Sequence, residues 1–470
     1  MWIVIAGAGR VGKDIARELR NEKKFDVVLI DSDATSVKNA QSLDALVIHG
    51  DTRDRKVLEK AGVLKADAFI AATDSDEMNL IACMMANQAH EHATGKSLKT
   101  IARLRNQNYI DEANDGNLSK WASVDHAVDP VKEAISQLQS GLRSDAIDAV
   151  IPFEHDAFIL ELSVTDKATH LFGKTLKQLG NEGTTPLPLI VGAKSIGGEK
   201  TVPGPEYVIQ PEDKLAVTAM GVNSFKSIVK LLGHEPKSFP ESPTVVIIGG
   251  TRLGMRIAKS WLRTGAQVTI IEEDLQKANQ LIGSTIGSDP NFEVIQGNHF
   301  DDELLDEIGY SSFDVCISAL DGDHTNIAAL VMAKEKGIEK TGMILKDDDL
   351  VNIVKKMGIS FSVDIKHVAV NTILSRLHTA NSGTFAILAK VNNVVGFKAK
   401  IPSGSRYIGK TLHNINLGRN VRVGFIQRSD NYGNKKTFDH TGTKEFIEGD
   451  QLVIFCEQDK VLDLMKKFEV

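Results

Sequence analysis

Cysteine is scarce in this chain: Cys83, Cys316 and Cys456 are three among 470 residues, and they lie far apart. Their spacing excludes a disulfide framework, a zinc ribbon and a paired redox motif. Apolar runs are short, none approaching the ~18 residues a membrane span needs. Met1 leads directly into a strand-like run, so no secretory leader is expected. An excess of basic charge is missing too: 55 Lys and Arg face 62 Asp and Glu, a net charge of −7. Phosphate contacts need a basic face, so nucleic acid is not an expected partner. No nucleophile elbow or H-E-x-x-H motif occurs. "HEH" (His90–His92) and "EHD" (Glu154–Asp156) lack the separation of a ligand set and read as solvated surface. With 42% apolar and 25% charged residues, the composition is that of a soluble, cytosolic globular protein. The length suggests roughly three or four units of about 100–150 residues.

What is present is one unit written twice. Gly249 of "GGTRLG" lies 242 residues after Gly7 of "GAGRVG". "HGDTRDRKVLEKAGV" (His49–Val63) returns as "QGNHFDDELLDEIGY" (Gln296–Tyr310), and "FIAATDSDEMNLIA" (Phe69–Ala82) as "CISALDGDHTNIAA" (Cys316–Ala329), placing Asn79 on Asn326. "LFGKTLKQL" (Leu171–Leu179) matches "YIGKTLHNI" (Tyr407–Ile415), and "PEDKLAV" (Pro211–Val217) matches "EGDQLVI" (Glu448–Ile454). Constant order and nearly constant offset imply duplication. "PKSFPESP" (Pro236–Pro243) holds three prolines in eight residues and reads as the linker between copies.

Within each copy, short apolar runs alternate with helical patterns, the signature of βαβ units and a parallel sheet. A turn-rich α+β lobe follows. The expected fold is therefore α/β, each copy a Rossmann-like sheet domain followed by a small lobe. The expected divisions are 1–123 for the first sheet domain, 124–149 for a connecting helix and 150–235 for the first lobe. After the linker at 236–243 come 244–362 for the second sheet domain, 363–382 for its helix and 383–470 for the second lobe. The helices expected over Val124–Leu142 and Val363–Leu377 are candidate levers between the lobes.

The first copy carries a complete nucleotide-loop context. Strand "WIVIA" runs into Gly7, Gly9 and Gly12, which suit a tight turn, close backbone approach to a phosphate and close helix–strand packing. Asp31 ends the second strand, where an acid binds ribose hydroxyls and repels a 2′-phosphate, favouring NAD or an adenine nucleotide over NADP. Asp51, Thr73 and Asp74 follow later strands, and Arg103 and Arg105 could offset phosphate charge. In the second copy Gly249 and Glu272 persist. Thr251 replaces the middle glycine, and Asn298, Leu320, Ile344 and Lys346 stand for Asp51, Thr73, Arg103 and Arg105. That site reads as altered or empty. "GSRYIGKT" (Gly404–Thr411) satisfies the P-loop pattern, but the first copy has Ala168 for its first glycine while keeping "GKTL". A shared turn is the favoured reading.

Taken in order, the glycine loop, "VVLIDSD", "HGDTRDRKVLEKAG", "IAATDSDEMNLIAC", "TIARLRN" and the "GKTL" lobe resemble the RCK (regulator of potassium conductance) domain. Two such units in tandem look like the peripheral cytosolic subunits of Trk-type potassium uptake systems. The resemblance implies a non-enzymatic gating ring, a homotetramer that binds NAD(H) and ATP or ADP and docks on a membrane-embedded potassium-translocating subunit. Carried over by position, it implies ligand contacts from Gly7, Gly9, Arg10, Val11, Gly12, Asp31, Asp51, Thr73 and Arg103. The alternative is an NAD-dependent oxidoreductase, which would need an acid/base pair over the nicotinamide.

Overall fold

The computed structural model describes residues 1–21, 25–143, 146–153, 156–182, 187–235, 239–378, 385–388, 391, 393–429, 435–439 and 444–468. The run Trp2–Ala6 is buried on both faces, as a parallel strand covered by helices must be. It forms the centre of a six-stranded parallel sheet. Across that sheet run Leu46–His49, Asp26–Asp31, Trp2–Ala6, Ala68–Ala71, Lys99–Arg103 and His126–Val128. In chain order this is 3-2-1-4-5-6, the doubly wound Rossmann arrangement. Thr244–Ile248 centres a second sheet with the same order, ending in Lys340–Leu345 and Phe361–Asp364. Each half then builds a five-stranded antiparallel lobe, and the strands of the two lobes follow the same relative order. The α/β duplication is thus present in the topology itself.

The connecting helices start later than the apolar period suggests. His126–Val128 adds a sixth strand to the first sheet, and the helix spans Pro130–Gly141. The reason is local: Asp129 accepts from the amides of Val131 and Lys132, and Pro130 takes the first helical position. In the second half Phe361–Asp364 is likewise a strand, and Asp364 caps the helix Ile365–His378 by accepting from the Lys366 amide at 2.8 Å.

These two bridging helices are exchanged between halves. Ala134, Ile135 and Leu138 of the first belong to one core with Val245, Ile247 and Ile257 of the second sheet domain. Ala369, Val370, Ile373 and Leu374 of the second join Ile3, Ile5 and Ile15 of the first. Each helix thus covers an apolar face of the other half, removing both faces from water at about 25 cal/mol per Å2. The lobes also meet: Phe153 packs edge-on to Phe455 at 5.5 Å, and the Gln427 amide donates to the Phe153 carbonyl at 2.8 Å. Gly141 sits at the tightest part of the exchange, where an added Cβ would lie 2.2 Å from the Phe361 ring. Gly141→Val is expected to cost about 1–3 kcal/mol by overpacking. Denaturant unfolding checks this, and an unchanged midpoint would refute the seam packing.

Candidate nucleotide-binding site

The carboxyl ends of the first and fourth strands diverge at a topological switch point, where open α/β sheets bind ligands. The glycine loop lies there. Gly7 has φ +105°, and a side chain on it would press on the backbone of Ala72 and Thr73 at 3.2 Å. A Cβ on Gly12 would lie 1.9 Å from the Gly7 carbonyl oxygen, so this glycine lets helix Arg10–Asn21 start against the turn. Around Gly9 nothing lies within 4 Å of an added Cβ; the space in front of its backbone is open. Asp31 braces the loop, accepting from the Ala8 amide at 2.7 Å and the Asp33 amide at 2.9 Å.

A cavity of about 410 Å3 opens in front of this loop. Gly7, Gly9, Arg10, Val11, Asp31, Asp51, Thr73, Asp74 and Arg103 all line it, while Gly12 lies outside the lining. Several of these groups are already engaged. Asp51 holds Arg53 through both carboxylate oxygens, with Nη2–Oδ2 at 2.6 Å, and the Arg53 hydrogen bonds keep its pKa below the usual carboxylate range. The Thr73 hydroxyl is 2.7 Å from Asn79 Oδ1, and the Asn79 amide donates in turn to the carbonyls of Thr73 and Arg103. Asn79 is a clasp between the ends of strands four and five, and Asn326 repeats its grip on Leu320.

Arg103 stands apart. Its side chain is 11% exposed and meets the open carboxylate of Asp74 at 3.5 Å. Its Nε is buried with no hydrogen-bond partner among the described residues. Burial, and then repulsion from Arg105, lowers its pKa, so an arriving anion would relieve a strained cation. Arg10 lines the cavity, yet its guanidinium also reaches the second half, 3.5 Å from Asp347 and 3.3 Å from Asp349. Lys366, at the start of the exchanged helix, lines the cavity as well. No motif marks it, because it lies in the other copy. Ser32, Asp33, Ser36 and Met78 are further lining residues that sequence reasoning missed; the first two follow directly on the Asp31 strand end, and Ser36 lies in the helix Ala34–Ala40.

The second loop keeps the backbone and closes the opening. Gly249 has φ +101°, and a Cβ on Gly254 would lie 2.1 Å from the Gly249 oxygen. Glu272 is buried and accepts from the Gly250 amide at 2.7 Å, as Asp31 does from Ala8. Thr251 caps its own helix: the hydroxyl accepts from the Gly254 amide at 3.2 Å and donates to the Ala319 carbonyl at 2.6 Å. A helix end satisfied in this way has less to offer a phosphate. Ile344, where Arg103 would be, is buried. Thr251→Ala should cost about 1 kcal/mol of stability as a lost cap. Urea unfolding checks it, and no loss would mean that the cap contributes nothing.

Other motifs resolve plainly. In the P-loop-like stretch the Gly409 amide donates to the Phe446 carbonyl at 2.9 Å, and only the three-residue turn Leu412–Asn414 follows. His90 is buried rather than solvated, its Nδ1 2.9 Å from the Val63 carbonyl. Glu154 and His155 of "EHD" lie outside the described residues. Among the described residues no helix is long and apolar enough to cross a membrane.

Known proteins share this architecture. The family model of the TrkA-N domain matches residues 3–130 and 245–364, and that of the TrkA-C domain matches 397–469. The Trk system potassium uptake protein TrkA homolog 1 of Methanosarcina mazei is 27% identical, with 100% of both chains covered. The Trk system potassium uptake protein TrkA of Vibrio alginolyticus is 25% identical over 92% of this chain and 91% of its own. Among solved structures, the GsuK channel superposes with a TM-score of 0.54 at 20% identity, covering 99% of this chain and 78% of that one. The GsuK channel bound to NAD gives 0.53 at 20% identity, covering 98% and 78%. With two matched segments that coincide with its two parallel sheets, the chain belongs to the TrkA-N domain family.

Proposed function

We propose that this chain is the nucleotide-binding regulatory subunit of a potassium uptake transporter. Its ligand is NAD(H), ADP or ATP, held at Gly7, Gly9, Asp31 and Arg103. It works without catalysing a reaction, as a homotetramer docked on the cytoplasmic face of a membrane-embedded potassium-translocating partner. Relatives covered over their full length are named as Trk system potassium uptake proteins, which supports the reading. The observation that carries it is the composition of one cavity: a glycine loop, a ribose-type acid, a desolvated arginine, and Lys366 from the other half.

A ligand in that cavity touches both halves at once. Such a ligand biases a gate only as far as it binds one arrangement of the halves better than another. At about 1–3 kcal/mol of coupling per site, four equivalent sites suffice to move a two-state gate. The test is potassium flux through the transporter reconstituted in vesicles with this chain, with each nucleotide added in turn. Nucleotide-dependent flux is expected; flux indifferent to every nucleotide would sink the regulatory reading. Turnover of NADH with a small-molecule substrate would instead favour an oxidoreductase.

A further inference from the structure

We infer that the cleft between the two halves is a separate anion site, suited to a small molecule carrying several phosphates. The cleft holds about 1070 Å3 and shares no lining residue with the glycine-loop cavity. One wall is the helix Arg252–Leu262. Arg252, Arg256 and Lys259, with Arg263 just beyond the helix end, recur at spacings of four, three and four. That spacing puts all four cations on one helical face, at the cost of like-charge repulsion. Arg105, Lys132 and the amides of Asn106 and Asn108 line the cleft from the first half.

Four carboxylates line the cleft, Asp111, Asp125, Asp129 and Glu133, and hydrogen bonds already hold the first three. Asp129 caps the first bridging helix and pairs with Arg256, with Nη1 at 3.2 Å. Asp125 accepts from the Thr100 amide at 2.8 Å, and Asp111 from the Gln107 amide at 2.8 Å. Among the described residues no carboxylate forms an ion pair with Arg252, Lys259 or Arg263. Burial, then the positive fields of Lys99 and Arg376, lowers the pKa of His126 in the same wall.

Duplication supplies an internal control. Asp76 accepts from the amides of Arg105 and Asn106, and Asp323 from those of Lys346 and Asp347, which fixes the correspondence of the two loops. At one seam Arg10 meets Asp347 and Asp349. At the other its counterpart Arg252 lines the cleft together with Asn106 and Asn108, amides in place of those acids. Along the helices, Asp14 and Glu18 of the first copy become Arg256 and Ser260 in the second. One seam neutralises itself with its own carboxylates. The other keeps the shape, has amides for Asp347 and Asp349 and a cation for Asp14, and so sets seven guanidinium or ammonium groups, with amide donors, against four carboxylates around a concavity. That donor set recognises phosphate oxygens.

Equilibrium dialysis of the full chain against radiolabelled inorganic tripolyphosphate tests this, alongside the Lys259→Glu/Arg263→Glu double variant and Asp31→Ala. Binding that persists in Asp31→Ala and weakens at least ~10-fold in the double variant is expected, a tenfold change being about 1.4 kcal/mol. Arg263→Gln, which removes one exposed charge without reversing it, should weaken binding by a smaller factor, and NAD(H) affinity should be unchanged in all the cleft variants. Absence of tripolyphosphate binding, loss of binding in Asp31→Ala, or indifference to the cleft substitutions would overturn the proposal.

Discussion

Asp31→Ala should lower the affinity for NAD(H) or adenine nucleotide by ~10- to 100-fold, because a hydrogen bond to a charged acceptor contributes about 1.5–3 kcal/mol. Calorimetric titration of the wild type and the variant measures it. Two effects are folded into that number. The carboxylate would bind ribose hydroxyls, and it also holds the Ala8 and Asp33 amides that shape the loop. Asp31→Asn separates them, since an amide retains one accepting oxygen for the loop and loses the charge. If Asn binds nearly as well as Asp, the residue serves loop geometry. If Asn resembles Ala, charge recognition dominates. Unchanged affinity in Asp31→Ala would remove this cavity as the nucleotide site.

The second large effect comes from a pair of glycines with opposite roles. Gly12→Ala places a methyl 1.9 Å from the Gly7 carbonyl oxygen, a backbone atom that cannot step aside. The expected cost is about 3 kcal/mol, the upper part of the overpacking range, with nucleotide binding lost as the loop shifts. Gly9→Val adds bulk where nothing stands within 4 Å, so stability should change by less than about 0.5 kcal/mol, as at other open surface positions. Its side chain would stand in the space a phosphate needs, so affinity should fall at least tenfold, about 1.4 kcal/mol. Urea unfolding and ligand titration on both variants read the two axes. Equal effects of the pair on stability, or unchanged affinity in Gly9→Val, would contradict the division of labour in the loop.

Much of this was legible before any coordinates. Trp2–Ala6 and Asp26–Asp31 follow from apolar runs bounded by glycine and aspartate, because burial on both faces demands them. The start of the bridging helix was also legible, in "VDP", yet the 3.6-residue period over Val124–Leu142 hid the strand His126–Val128. Period alone cannot separate a short edge strand from the first turn of a helix; the cap and the proline can. The occupied state of Asp51 and Thr73 was not legible, since Arg53 and Asn79 satisfy them only once the turn closes. Nor was the capping role of Thr251 legible, since its hydroxyl meets the Gly254 amide only once the helix starts.

By itself the sequence determined the duplication, the two parallel sheets, the intact first loop and the altered second one. Each is written in residues near one another along the chain, through period, spacing and turn chemistry. Tertiary structure alone decided that the bridging helices exchange places, that Lys366 reaches the first cavity, and that Arg10 meets carboxylates while, among the described residues, Arg252 pairs with none. Arg10 and Arg252 hold equivalent places in nearly identical loops, so nothing local distinguishes them. What separates them is the charge on the surface each docks against, contributed by residues far off in sequence, and Coulomb energy depends on that distance in space.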